Sequence, residues 1–223
     1  MLVSNKPPDA TISPTSMRCG YAIPRLLAQF FLTFLFRGRV FGTQRVPRTG
    51  GVLLVSNHQS FLDPILATLA LPRECHYMAR DTLFRNPLLR RLIQSLNAFP
   101  IRRATADLTA IKETLRRLKA GALVVTFPEG TRTLDGSIGP MHPGVVLLAR
   151  KAGVPLVPAV ILGAFQAWPR HARLPHPHPI VVAYGEPIAA DELARLEDEA
   201  CIRLVRERIA ELAEQHARRW SES

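Results

Sequence analysis

Short, almost purely apolar runs alternate along this chain with stretches whose apolar residues recur every three or four positions. Val52–Val55 is followed by the helical pattern of Pro64–Leu71, and His76–Ala79 by that of Pro87–Leu96. The helix-patterned Asp107–Lys119 then leads into Leu123–Phe127, and Gly144–Ala152, closed by Gly153, into Leu156–Leu162 and Ile180–Tyr184. A run of four to seven apolar residues without alternation suits a strand buried on both faces, and strands that alternate with helices predict a parallel sheet. The pattern predicts α/β: a single domain over residues 40–219 with a largely parallel or mixed central sheet flanked by helices. Leu193, Leu196, Ile202, Val205, Ile209 and Leu212 recur at helical spacing, and the tail reads as an ordinary surface-packed helix. Residues 1–20, with Pro7, Pro8 and Pro14 among Ser, Thr and Asn, read as a disordered leader.

Composition narrows the classes. Hydrophobic residues are 47% and charged residues 21% of 223, as in an ordinary globular chain, which excludes collagen, wholesale disorder and a disulfide-stapled miniprotein. Three cysteines without a C-x-x-C pair point to a reducing compartment. The formal net charge of +11 calls for an anionic partner: nucleic acid, a phosphate-bearing substrate or an anionic membrane. Its distribution is uneven. Residues 1–48 hold seven basic and one acidic residue, residues 73–119 eleven basic and four acidic, and residues 185–223 six basic and ten acidic.

Several chemistries are missing. There is no G-x-S-x-G elbow, no G-x-x-x-x-G-K-[ST] loop, no G-x-G-x-x-G and no H-E-x-x-H, so elbow serine hydrolases, P-loop NTPases and zincins drop out. His176 and His178 alternate with Pro175, Pro177 and Pro179, without a nearby Cys or acidic ligand, and read as a solvated extended loop, leaving no metal site to expect. What stands out is Asn57-His58-Gln59-Ser60-Phe61-Leu62-Asp63-Pro64, directly after a buried-looking strand. On a continuous helix, residues five apart point about 140° from each other, so His58 and Asp63 meet only if the backbone turns between them. Pro64 suits a helix's first turn, with Asp63 or Ser60 as its cap. A carboxylate on one imidazole nitrogen fixes the tautomer and leaves the other free to take a proton from a hydroxyl. The alternative is a loop histidine beside a capping aspartate, with no shared chemistry. Phe127-Pro128-Glu129-Gly130-Thr131-Arg132 follows a second buried strand. There Gly130 permits close backbone approach, Arg132 suits a phosphate, and Glu129 accepts from a hydroxyl or pairs with an arginine; a polar turn with a local ion pair is the plainer alternative. Arg102 and Arg103 close the apolar stretch 98–101 and offer either a phosphate clamp or a solvated charge pair.

In this order, the segments resemble the glycerophospholipid acyltransferase family, whose best-known members are the 1-acylglycerol-3-phosphate acyltransferases. His58 and Asp63 match the family's H-x-x-x-x-D motif, Arg103 the arginine of its second block, and Phe127–Arg132 its third block letter for letter. Val154-Pro155-Leu156-Val157-Pro158-Ala159 resembles the fourth block, and Tyr77–Asp81 with Phe84–Leu88 the linker between the first two. The chain departs at Asn97, where the family usually has Gly, at Arg102, and at Met141-His142-Pro143-Gly144, where it commonly has Phe-Lys-x-Gly. The resemblance implies transfer of an acyl group from acyl-CoA or acyl-acyl carrier protein to a lysophospholipid hydroxyl, without a cofactor. His58 and Asp63 would be catalytic, and Arg102, Arg103, Glu129, Gly130, Thr131 and Arg132 would hold the acceptor and its phosphate. Ser60 is expected to support the turn.

Acyl-chain substrates imply work at a bilayer surface, on its cytoplasmic face. The apolar run 26–36 is eleven residues long and contains Gln29 and Thr33, too short to span a bilayer. With four phenylalanines flanked by Arg25, Arg37 and Arg39, residues 21–39 read as an amphipathic helical segment lying on the membrane. A catalytically silent lipid-binding relative is a further reading that the intact His58 and Asp63 oppose, and two others remain, first the same fold with another acceptor, such as a lyso-aminolipid, and second a basic nucleic-acid-binding domain. The second lacks any recognised binding motif, and aromatics are only 7%, so nucleic acid is not expected as a partner.

Overall fold

The computed structural model describes Leu26, Gln29, Phe30, residues 33–101 and residues 107–221, the last four by backbone alone. The proposed leader 1–20, much of the expected amphipathic segment 21–39, and Arg102 and Arg103 lie outside the described residues; at the end of that segment the helix stops at Phe36, whose ring is buried in the core, and Arg39 already belongs to the sheet.

Seven strands form one sheet: β1 (Arg39–Phe41), β2 (Val52–Ser56), β3 (Cys75–Arg80), β4 (Ala98–Ile101), β5 (Leu123–Thr126), β6 (Leu156–Leu162) and β7 (Val181–Tyr184). Their order is β1-β7-β6-β2-β5-β3-β4, with every neighbouring pair parallel except β6 and β7. The expected mostly parallel α/β sheet is therefore present. The connecting helices are α1 (Asp63–Leu66), α2 (Pro87–Ser95), α3 (Leu108–Lys119), α4 (Gly144–Ala152), α5 (Ala164–Ala167), α6 (Ala190–Arg195) and α7 (Asp198–Ser221).

β2 lies at the centre, with all five residues buried. Its period of two splits it between both faces. Val52 and Leu54 join one apolar cluster with Val125, Val157, Ile161 and Tyr184, covered by Leu66 of α1 and Ala164 and Ala167 of α5. Leu53 and Val55 join the other with Val124 and Val160, covered by Leu118 of α3, Val146 and Ala149 of α4, and Val205 and Ile209 of α7. Each such side chain contributes roughly 1.5–3 kcal/mol relative to exposure, so the central strands are rigid supports for the loops that leave them.

The structure corrects the sequence reading at several elements. The helix expected over 64–71 is α-helical only over Asp63–Leu66. Neither Ser60 nor Asp63 caps it; Leu62 occupies the cap position, and both candidate caps are engaged in the preceding loop. The tail forms two helices that break after Arg195, with Leu193, Val205, Ile209 and Leu212 buried. β1 is a short edge strand that hydropathy did not mark, and the apolar stretch 98–101 forms the edge strand β4.

Candidate active site

The sequence-predicted histidine and carboxylate meet where β2 ends. Asn57, buried, extends the strand's pairing with its side chain: Nδ2 donates to Ile161 O at 2.9 Å and Oδ1 accepts from Ile161 N at 2.8 Å. This fixes the next residue, His58, at the carboxyl edge of the sheet, where open α/β folds place their ligands. The chain then doubles back, bringing Asp63 Oδ2 to 2.8 Å from His58 Nδ1. The same oxygen accepts the backbone N–H groups of Gln59 and Ser60, so the carboxylate holds the turn together from inside. Burial pushes the Asp63 carboxyl up from its ordinary range, opposed by the His58 bond and the two backbone donors. An ionised Asp63 carboxylate only accepts, so in that state His58 Nδ1 donates to it and Nε2 is the ring nitrogen left facing a substrate.

The loop after β5 grips His58 from its other sides. Its backbone N–H donates to Glu129 Oε1 at 2.9 Å, its C=O accepts from Thr133 N at 2.8 Å, and its ring stacks on Phe127 with centroids 4.4 Å apart. Glu129 Oε2 accepts from Gly139 N at 3.2 Å, so this carboxylate spans two loops through backbone donors. Its burial raises the Glu129 pKa, an effect those two donors partly offset. Gly130 takes a φ of 69°, which opens the turn at no steric cost. Thr131 is exposed beside it. The Arg132 guanidinium lies over the Phe61 ring, 3.4 Å from its centroid, and Phe61 in turn meets Trp168 at 5.5 Å. Such a cation–π contact fixes the plane of the guanidinium.

His58, Asp63, Glu129, Gly130 and Arg132 are thus gathered by two adjacent loops. Sequence reasoning missed several residues that assemble them. Gln59, buried, donates from Nε2 to Gly136 O at 2.9 Å and accepts from Phe165 N, joining the loops after β2, β5 and β6. Ser60 Oγ accepts from Leu62 N at 3.3 Å, supporting the turn as expected, and donates to Trp168 O at 2.9 Å, a tie to a distant loop that was not expected. These partners are largely backbone atoms, which no side-chain motif announces. The divergent stretch 141–144 is where the long loop returns to α4: Met141 packs on the core and His142 N donates to Pro128 O. Among the described residues, no group of three or more His, Cys, Asp or Glu is placed to hold a metal ion.

A family model described as Acyltransferase matches residues 37–162, more than half of the chain. The chain belongs to the acyltransferase family. This acyltransferase is 33% identical over 126 residues to the 1-acyl-sn-glycerol-3-phosphate acyltransferase of Bacillus subtilis, covering 56% of this chain and 62% of that one. It is 31% identical over 150 residues to the chloroplastic 1-acyl-sn-glycerol-3-phosphate acyltransferase BAT2 of Brassica napus, covering 66% of this chain and 43% of that one. The match thus spans about half the length of these curated relatives. Among solved structures, the fold is similar to the 1-acyl-sn-glycerophosphate (LPA) acyltransferase PlsC of Thermotoga maritima, with a TM-score of 0.77 and 26% identity. That likeness covers 88% of this chain and 79% of the other.

Proposed function

We propose that this acyltransferase transfers a fatty acyl group from an acyl thioester to the free hydroxyl of a lysophospholipid, with 1-acylglycerol-3-phosphate as acceptor and phosphatidate as product. The observation that carries the reading is the buried His58–Asp63 pair at the carboxyl edge of β2, 2.8 Å apart, beside the loop that presents Arg132. His58 Nε2 takes the proton of the acceptor hydroxyl as its oxygen attacks the thioester carbonyl. The new C–O bond forms, the C–S bond breaks, and the proton passes from His58 to the departing thiolate. Transfer is direct, so no nucleophilic serine or cysteine is required of the protein.

Arg132 holds the acceptor phosphate, with Arg103 and Arg102 assigned to the same task on the family resemblance; Gly130 and Thr131 line the loop. Glu129 is read as a positioning residue: both carboxylate oxygens are engaged by backbone N–H groups, one of them that of His58. The donor is acyl-CoA or acyl-acyl carrier protein. The enzyme works at the cytoplasmic face of a bilayer, with the part of the N-terminal segment that precedes Leu35 on its surface. Support comes from the exposed Leu26, Phe30 and Phe34 and from the arginines that follow them. Among the described residues, no helix is long and apolar enough to cross a membrane.

Purified protein is incubated with a labelled acyl thioester and lysophosphatidate in liposomes or detergent, beside His58→Ala. The expected result is phosphatidate from the wild type and a loss of at least about a thousandfold in the variant, since base and tautomer-holding pair vanish together. Equal activity in both proteins rejects the histidine-base mechanism. Transfer to other lyso-lipids but not to lysophosphatidate rejects the acceptor and keeps the mechanism.

A further inference from the structure

The crossover from β3 to β4 differs from the others in what it buries. Its two elements, a short 3-10 helix over Asp81–Phe84 and α2, contain no buried residue, whereas α3 and α4 each sink a stripe into the core. Yet α2 is built to form and is sharply two-sided. Asn86 Oδ1 accepts from Leu88 N and Leu89 N, and Pro87 opens the first turn. At about 100° per residue, Leu88, Leu89, Leu92 and Ile93 share one arc of about 140°, with Arg90, Arg91 and Gln94 on the remainder. Leu89 and Ile93 are half-buried, but Leu88 is 77% and Leu92 50% exposed. Leu83, in the preceding turn, adds a third apolar side chain. Arg80, Arg85, Arg90 and Arg91 stand around them against one acid, Asp81. A preformed helix whose apolar arc is half outside the core, set among arginines, has the chemistry of an interfacial element.

Its place in the fold says what it meets. β3 and β4 lie at one lateral end of the sheet and β1 at the other, with β2 and His58 between. Seven strands at about 4.8 Å spacing give this edge a width of roughly 30 Å. Residues 26–36 enter β1 at the same edge, because β1 runs with β7 and against β6. Among the described residues, Phe34, Phe61, Leu83, Leu108, Leu134 and Leu174 are large apolar side chains left exposed in segments that enter or leave this edge, and α2 starts beside it, where β3 has left the sheet, before running back toward the start of β4. An acidic protein partner needs only a local patch, whereas an apolar and basic rim as wide as the sheet matches a plane.

We infer that residues 80–95 form a second membrane-contact element, seating Leu83, Leu88 and Leu92 among the headgroups of an anionic bilayer and laying Arg85, Arg90 and Arg91 on lipid phosphates. The inference extends the bilayer-surface reading above from one end of the sheet to both. The site then opens onto the surface between two supports, and an acceptor reaches His58 without leaving the bilayer.

The test is sedimentation of the full chain with vesicles of phosphatidylcholine alone and of phosphatidylcholine mixed with phosphatidylglycerol. Compared with the wild type are Leu88→Ser/Leu92→Ser, Arg90→Gln/Arg91→Gln and, as a control on another crossover helix, Leu147→Ser. Each α2 pair is expected to lose binding to the anionic vesicles, by about thirtyfold for the two arginines, while the control binds as the wild type does. All variants are expected to keep wild-type transfer to acceptor dispersed in detergent. If the wild type binds vesicles and the α2 variants bind equally well, α2 is not a contact, though the surface reading stands. If the wild type binds neither kind of vesicle, the surface reading itself fails and this inference with it. If the α2 variants bind vesicles normally but raise KM for an acyl-carrier-protein donor and not for acyl-CoA, the helix receives the carrier and the bilayer assignment is wrong.

Discussion

At the scale of single residues, the proposed site divides between groups assigned to substrate and groups that hold those groups still. Glu129 and Arg132 are three positions apart, yet the geometry separates them: the carboxylate is engaged by the backbone of His58 and Gly139, the guanidinium lies flat on Phe61. Glu129→Gln keeps one acceptor oxygen and turns an NH2 group toward the other backbone donor. Because burial raises the Glu129 pKa, folding favours its neutral form and the ionised group costs stability at neutral pH, so the uncharged amide offsets part of the lost bonding. The expected outcome is a kcat lowered roughly ten- to a hundredfold by a displaced His58, with KM for lysophosphatidate within about threefold of wild type. Arg132→Lys is expected to do the reverse, raising that KM by roughly tenfold or more because an ammonium neither stacks on Phe61 nor forks onto a phosphate. Steady-state kinetics with the acceptor varied decides it, and a KM effect in the glutamine variant would return Glu129 to acceptor binding. His58, Asp63 and Arg132 were legible as candidates because their side chains carry the chemistry, and Gly130 because a glycine in a loop marks backbone freedom. The role of Glu129 was not, because its partners are backbone amides, and Gln59, Thr133 and Trp168 were invisible for the same reason.

At the scale of elements, what sequence revealed depended on burial. β2, β5 and β6 are continuous apolar runs because they are covered on both faces, and so hydropathy alone marks them. β1 is three residues long and carries no pattern to read, and β4 is a four-residue apolar stretch whose Pro100, a residue that edge strands tolerate, kept it from reading as a strand. α1 was overestimated because Pro64–Leu71 is apolar for a second reason, packing beneath the site loop as turns. The exit of β6 offers a test of how tightly elements frame the loops. Gly163 takes a φ of 83°, and a Cβ there would lie 2.0 Å from Pro179 O. The next residues begin α5, which supplies the Phe165 N–H bonded to Gln59 and leads to the Trp168 carbonyl bonded to Ser60. Gly163→Ala must shift the backbone of one strand against the other, at about 3 kcal/mol or more. A urea titration should show a lowered midpoint, and the surviving folded protein should have a reduced kcat. A wild-type midpoint would show that the 163–180 connection yields freely and does not brace the site.

At the scale of the whole molecule, the two edges of the sheet are put to different uses. The carboxyl edge carries His58, the Arg132 loop and the exposed apolar rim; the amino edge carries connections that are tied down. Arg73 is the main tie: Nη1 donates to Pro47 O at 2.8 Å, and Nη2 to Gly50 O at 2.8 Å and Gly121 O at 2.7 Å, binding the approaches to β2, β3 and β5. Burial pushes its pKa down from the ordinary guanidinium value, the mark of a cation held away from water by carbonyls instead of carboxylates. Arg73→Lys loses the fork and with it at least one of three charge-assisted bonds, at roughly 1.5–3 kcal/mol. Thermal unfolding should move down by about 4–10 °C for a domain of this size. Transfer at 25 °C should stay within about twofold of wild type in kcat/KM, because no bonded partner of Arg73 belongs to the site loops. The pairing of a lowered Tm with an intact rate is what the division predicts. A lowered rate with an unchanged Tm would mean that the amino edge reaches the chemistry through β2, and that the sheet transmits displacement instead of isolating the site from it.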